Sequence, residues 1–172
     1  MSDAAPFERS RPRGVPTVLD TLRARIDHDA FDAVTFSLES VAADLGYGDV
    51  RPLPGAIAWI DRLRDEGKRI ALFAGGERAP QALQLAGIAD RFDAIVAGPR
   101  AASTIARALD EVGVSPERSV VVDVVPAGIA AGRELGAPIT IAVARGRASP
   151  AELRDAGAST VVADLQELLG PS

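Results

Sequence analysis

The chain has 172 residues, 47% hydrophobic and 25% charged, which suits one domain with a full core and is too short for two. It contains no cysteine and one histidine, His28, which excludes a disulfide framework, a thiolate site, a cysteine nucleophile and any multi-histidine metal centre. Its formal charge of −5 argues against nucleic acid as a partner, because phosphate contacts need a basic face.

No apolar run approaches the ~20 residues of a membrane span. The opening Met-Ser-Asp-Ala-Ala-Pro-Phe-Glu-Arg-Ser lacks the apolar core of a signal peptide. The expectation is a cytoplasmic protein with no membrane partner. Lys68 is the only lysine, so a mechanism that needs an amine must use Lys68 or do without.

In chain order, residues 1–13 carry Pro6, Pro12 and scattered charge without periodicity, which predicts a flexible tail. A single domain is expected over 14–172. It opens with an N-terminal helix over 14–28, where Val18, Leu19, Leu22 and Ile26 recur at helical spacing and Pro16 sits in the first turn. A buried strand follows at 31–37, with β-branched Val34 and Thr35 at its centre. Ser40 to Gly55 reads as a short, turn-rich connection. Residues 56–66 predict a helix with Ile57, Ile60 and Leu63 on one face and Gly67 as its stop.

Arg69–Ala74 is a second strand, ending at Gly75-Gly76, and a helix covers 79–85. A third strand spans 92–97, and a helix over 101–112 closes at Gly113. Ser119–Asp123 is a continuous apolar run of the kind buried on both faces of a parallel sheet. A helix over 127–135 is capped by Gly136, and a fifth strand spans 139–143. Ser149-Pro150 starts a helix running to Ala156. A short strand at 160–163 and a helical turn at 165–169 complete the pattern.

Strands alternating with helices imply parallel βαβ units. The predicted fold is α/β, a three-layer, doubly wound, Rossmann-like parallel sheet. In such a sheet ligands sit beyond the carboxyl ends of the strands. That directs attention to the polar stretch after Phe36, namely Ser37-Leu38-Glu39.

Phe31-Asp-Ala-Val-Thr-Phe-Ser-Leu-Glu-Ser-Val41 resembles the nucleophile motif of the haloacid dehalogenase (HAD) superfamily, in particular its β-phosphoglucomutase-like branch. Three further runs carry the resemblance. Arg51-Pro-Leu-Pro-Gly55, with the helix and strand after it, resembles the approach to the second motif. Leu85-Ala-Gly-Ile-Ala-Asp-Arg-Phe-Asp-Ala-Ile-Val96 resembles the segment before the third. Gly113 to Gly132 resembles the run containing the fourth. The likeness extends over nearly the whole chain from Phe31 onward and implies the HAD fold.

The resemblance also implies site positions, and each departs from the family pattern. The nucleophilic aspartate is matched by Ser37, a weak nucleophile without an adjacent base. The acid/base aspartate is matched by Glu39, one methylene longer. The phosphate-binding hydroxyl is matched by Ala74, followed by Gly75 and Gly76, whose N–H groups read as an anion cradle or a plain tight turn. The lysine falls on Pro99, and Arg100, one place on, would contribute charge only if the backbone shifts. The acidic pair that holds Mg²⁺ is matched by Asp123-Val124, so one acid remains.

For each residue two roles stay open. Ser37 is an alternative nucleophile or a polar remnant. Glu39 is an acid/base or a solvated loop residue. Asp123 is a cation ligand or an acceptor for loop N–H groups. No cofactor is expected, with weak Mg²⁺ binding at Asp123 as the one alternative. The Ser40–Pro52 connection is too short for a helical cap domain, so a capless protein is expected. Three functions follow: a catalytically degenerate HAD-fold protein acting by binding, a hydrolase or phosphatase using Glu39 and Asp123, or a self-assembling module with a homo-oligomeric or protein partner.

Overall fold

The parallel strands form where β-branched and aliphatic residues run without interruption. A computed structural model describes residues 26–46 and 49–170. The expected tail and nearly all of the expected helix over 14–28 lie outside these residues. The described end is a single 3₁₀ turn at His28–Ala30. Strand β1 is Ala33–Ser37, buried along its whole length. One helical turn, α1 (Leu38–Val41), leads into two short strands, β2 (Ala42–Gly46) and β3 (Asp49–Pro52). These pair antiparallel as a separate hairpin. The expected turn-rich loop over 40–55 is therefore corrected to a helical turn and a hairpin, closed where Leu53 N donates to Val41 O at 2.8 Å.

The remaining elements alternate as expected. They are α2 (Pro54–Asp65), β4 (Arg69–Ala74), α3 (Ala79–Leu85), β5 (Ala94–Ala97), α4 (Ala102–Val112), β6 (Ser119–Asp123), α5 (Pro126–Leu135), β7 (Ile139–Val143), α6 (Pro150–Asp155) and β8 (Thr160–Val162). A 3₁₀ turn at Leu165–Leu169 follows. The strand expected from 92 starts at Ala94 because Asp93 faces the neighbouring strand with its side chain. Its carboxylate accepts from Ile70 N at 2.8 Å.

Six strands form one parallel sheet in the order β5-β4-β1-β6-β7-β8. The central strand β1 is in register with β4 (Ser37 opposite Phe73) and β6 (Phe36 opposite Val122). Side-chain alternation divides its residues between two faces. Val34 and Phe36 join Trp59, Ile60 and Leu63 of α2 in the larger core. Trp59 is fully buried and meets Phe36 edge-on, with centroids 5.7 Å apart, a favourable aromatic geometry. Ala33 points the other way, with Phe73, Val121 and the α4 residues Ile105 and Leu109.

That second face carries the detail that places the site. Gly128 and Gly132, one turn apart on α5, let the helix lie against β6. A Cβ on Gly132 would come within 2.9 Å of Val121 Cβ, and one on Gly128 within 1.6 Å of Asp123 Oδ2. The bare helix surface at Gly128 is thus where the Asp123 carboxylate lies.

Candidate functional site

Ser37, Ala74 and Asp123 end β1, β4 and β6 at the carboxyl edge of the sheet. Parallel pairing puts these ends side by side, which brings residues far apart in sequence to one edge. Just beyond β1, the α1 turn is fixed from within, since Ser40 Oγ donates to Ser37 O at 2.7 Å. This turn carries Glu39. The β5–α4 loop carries Arg100, and its start is tied down where Gly98 N donates to Ala74 O at 2.9 Å.

Arg100, one residue after Pro99, reaches the centre of this edge with its side chain. Its Nε donates to Asp123 Oδ2 at 2.7 Å and its terminal NH2 to Glu39 Oε2 at 2.8 Å. One guanidinium therefore joins two carboxylates, and the fork geometry of arginine suits such bridging. Glu39 therefore has an ionic partner as well as contact with solvent, with 47% of its side chain exposed.

Asp123 is fully buried. Its second oxygen, Oδ1, accepts from Val124 N at 2.7 Å. Burial pushes its carboxyl above the ordinary carboxylate range, and the Arg100 charge opposes that push without cancelling it. Burial alone would lower the Arg100 pKa, but the charges of Asp123 and Glu39 outweigh it and raise it further. Ser37 Oγ lies near enough to Asp123 to favour the ionised carboxylate. The same hydroxyl is buried and makes no hydrogen bond of acceptable geometry.

A cavity of about 380 Å³ opens beside Glu39, with Ala74, Gly75 and Gly76 in its wall. The expected phosphate-binding positions thus adjoin the carboxylate–arginine group. A second cavity of about 310 Å³ lies on the other side of Glu39, toward Val124 and Arg145. Lys68 takes no part. Its Nζ donates to the carbonyls of His28 and Phe31 at the opposite edge of the sheet and lies 4.8 Å from the Phe31 ring centroid.

The fold family implies Mg²⁺ at this edge, but the donor set does not suit it. Mg²⁺ takes six oxygens in near-ideal octahedral geometry, usually with one or two carboxylates free to bind. Here both Asp123 oxygens and one Glu39 oxygen already accept hydrogen bonds. Among the described residues no group of three or more His, Asp or Glu side chains is placed to hold a metal.

Two participants were not anticipated from sequence. Arg145, just past β7, donates from NH1 to the Glu39 carbonyl oxygen at 2.5 Å. Gly128 leaves the room that Asp123 occupies. The signal for Arg145 was its place two residues past the end of a parallel strand. The signal for Gly128 was a glycine in the first turn of a helix, five residues after the strand-end acid.

Comparison with known proteins agrees with this fold. The family model described as haloacid dehalogenase-like hydrolase matches residues 7–136. None of the curated proteins matches the chain. Among solved structures, a haloacid dehalogenase-like family hydrolase from Streptococcus pneumoniae superposes with a TM-score of 0.71 at 14% identity, covering 82% of this chain and 98% of its own. A candidate β-phosphoglucomutase from Thermotoga maritima gives 0.71 at 17% identity, with coverage of 81% and 97%. A HAD family hydrolase from Deinococcus radiodurans, solved with bound phosphate and sodium, gives 0.69 at 20% identity, with coverage of 81% and 93%. At these identities the likeness establishes the fold.

Proposed function

The chain belongs to the haloacid dehalogenase-like hydrolase family, and we propose that it is a member that works by binding rather than by phosphoryl transfer. The observation that carries this reading is the Arg100 guanidinium seated between Glu39 and Asp123. Phosphoaspartate chemistry needs an anionic nucleophile and a cation to neutralise the transferring group. At the nucleophile position stands Ser37, a hydroxyl without a base to activate it. The one buried carboxylate beside it is engaged by Arg100 and by Val124 N.

The cavity beside Glu39 supports a binding role. Its volume of about 380 Å³ falls within the ~300–1,000 Å³ of small-molecule sites. Its wall mixes apolar Leu38, Val50 and Ala79 with charged Glu39, Asp44 and Arg78. A small ligand with an apolar body and at least one charged group fits that lining.

One observation favours a second reading, a hydrolase in which Glu39 activates water. Glu39 is half-exposed and borders both cavities. A turnover assay with aryl and sugar phosphates at millimolar Mg²⁺ separates the two. The binding reading expects no turnover above buffer and no phosphorylated protein by mass spectrometry. Turnover that Glu39→Gln abolishes and Ser37→Ala spares would establish the hydrolase instead.

A further inference from the structure

We infer that Arg100 is a built-in cation that stands in the electrostatic role of a divalent metal, so that removing its charge turns the Glu39–Asp123–Ser37 group into a divalent-cation site. The inference rests on the binding reading above. It concerns cation binding, which is measured apart from turnover, so failure of either is recognised separately.

The oxygens gathered at this edge are those a hard cation would take. Asp123 offers a carboxylate with no solvent exposure, and Glu39 offers a second carboxylate from the adjoining turn. Ser37 adds a buried hydroxyl, close to Asp123, that has no partner. The Glu39 carbonyl oxygen is already satisfied by a second guanidinium, that of Arg145. Ser37 Oγ lies beside Asp123, makes no hydrogen bond of good geometry and stays open to a further partner. A buried hydroxyl without a partner is costly and rare in native proteins.

The charge arithmetic favours arginine as the resident ion. Two carboxylates beside low-dielectric walls need a counter-charge, and Asp123 has no water to screen it. Arg100 supplies one positive charge, delocalised over a planar fork and attached to the chain. It needs no dehydration step of the kind that makes Mg²⁺ reluctant to enter such sites. Asp123 Oδ2 and Glu39 Oε2 each hold one arm of the fork, so a metal competes with a tethered cation for both. The effective concentration of such a tethered group is high.

The test measures Mg²⁺ and Mn²⁺ binding by calorimetry and thermal shift, with Mn²⁺ electron paramagnetic resonance as a direct count of bound ion. Wild-type protein is expected to show no Asp123-dependent binding at millimolar cation. Arg100→Gln is expected to bind Mn²⁺ at least roughly tenfold more tightly than wild type, since a carboxylate pair regains its attraction for a cation. The double variant Arg100→Gln with Asp123→Asn is expected to lose that gain. Arg100→Lys keeps a positive charge and is expected to stay insensitive to cation.

Cation binding by wild type that Asp123→Asn abolishes would overturn the inference. So would a folded Arg100→Gln variant that binds no Mn²⁺, or an Arg100→Lys variant that binds as well as the glutamine one. Should Arg100→Gln be unfolded without cation, refolding on addition of Mn²⁺ counts as the expected binding, and failure to refold counts against it.

Discussion

Arg100 Nε stands 2.7 Å from Asp123 Oδ2, with the aspartate wholly buried and the arginine side chain 30% exposed. The two ends of this pair are unequal. The guanidinium retains access to water, whereas the carboxylate depends on it for charge balance. Removing the arginine therefore damages the fold more than its exposure suggests. Arg100→Gln is predicted to lose about 3 kcal/mol at neutral pH, because it leaves a buried carboxylate unpaired. Urea unfolding monitored by circular dichroism measures it.

The same pair gives a pH dependence with a definite sign. The Asp123 pKa is raised in the folded protein above its ordinary 3.8, first by burial. A carboxyl with a raised native pKa binds its proton more tightly when folded. Its ionisation therefore costs stability as pH rises from 3.8 through the native value. In Arg100→Gln the opposing charge is gone, so the pKa moves higher still. The stability deficit of that variant relative to wild type should shrink steadily as pH falls, because protonated Asp123 needs no counter-charge. Unfolding curves taken across the acidic range read this directly. A deficit that stays constant would mean that Asp123 is not its source.

Gly128 gives an independent handle on Asp123. A Cβ there would lie 1.6 Å from Oδ2 and 2.5 Å from Cγ, so Gly128→Ala must push the carboxylate away from Arg100. Overpacking of this kind costs about 1–3 kcal/mol. The expected result is a loss near the upper end of that range. By contrast, Gly75→Ala meets nothing within 4 Å, and its φ lies outside the left-handed region. It should be neutral or slightly stabilising, by about 0.4–1 kcal/mol, through the unfolded state. Comparing the two melting temperatures tests whether Gly75 is a plain turn residue rather than a position that demands glycine.

Much of this architecture was legible in the chain because burial on both faces leaves a distinctive mark. Arg69–Ala74, Ser119–Asp123 and Ile139–Val143 have the bounds that their apolar runs imply. The hairpin over 42–52 was not legible. Glycine, aspartate and proline make up nearly half of it, Val50 is its one β-branched residue, and half of its described side chains are exposed. At the site, the end of the first strand pointed to Ser37, and the resemblance to the family's motifs pointed to Ala74 and Asp123. The reach of Arg100 was hidden because linear alignment places backbones, whereas a guanidinium acts a full side chain away. Arg145 was missed for the same reason.

Lys68 tests the division between the two ends of the sheet. Its ammonium ties the carbonyls of His28 and Phe31 and covers the Phe31 ring. Lys68→Met keeps much of the apolar stem and removes charge-assisted bonds of about 1.5–3 kcal/mol. Stability should fall by about 1–2 kcal/mol, since the loosened carbonyls regain water. Any ligand or cation response at the Glu39 edge should be unchanged. A changed response would place the only lysine within the functional apparatus after all.

Ser37 is the most discriminating position, because only one of its two substitutions should cost stability. Ser37→Ala removes a buried hydroxyl that has no hydrogen-bond partner. The change is expected to be neutral or stabilising by up to about 1 kcal/mol. Ser37→Asp restores the acid that the family pattern has there and sets a second buried carboxylate beside Asp123. Arg100 would then face three carboxylates with one charge. That variant should be destabilised by about 3 kcal/mol or more at neutral pH. The loss should be relieved by acid, or by Mn²⁺ if the extra carboxylate attracts the ion past Arg100. Chemical denaturation of both variants with and without Mn²⁺ decides the matter. A Ser37→Ala protein clearly weaker than wild type would show that the hydroxyl bonds to Asp123 in solution. Ser37 would then support the carboxylate rather than stand as an unused oxygen.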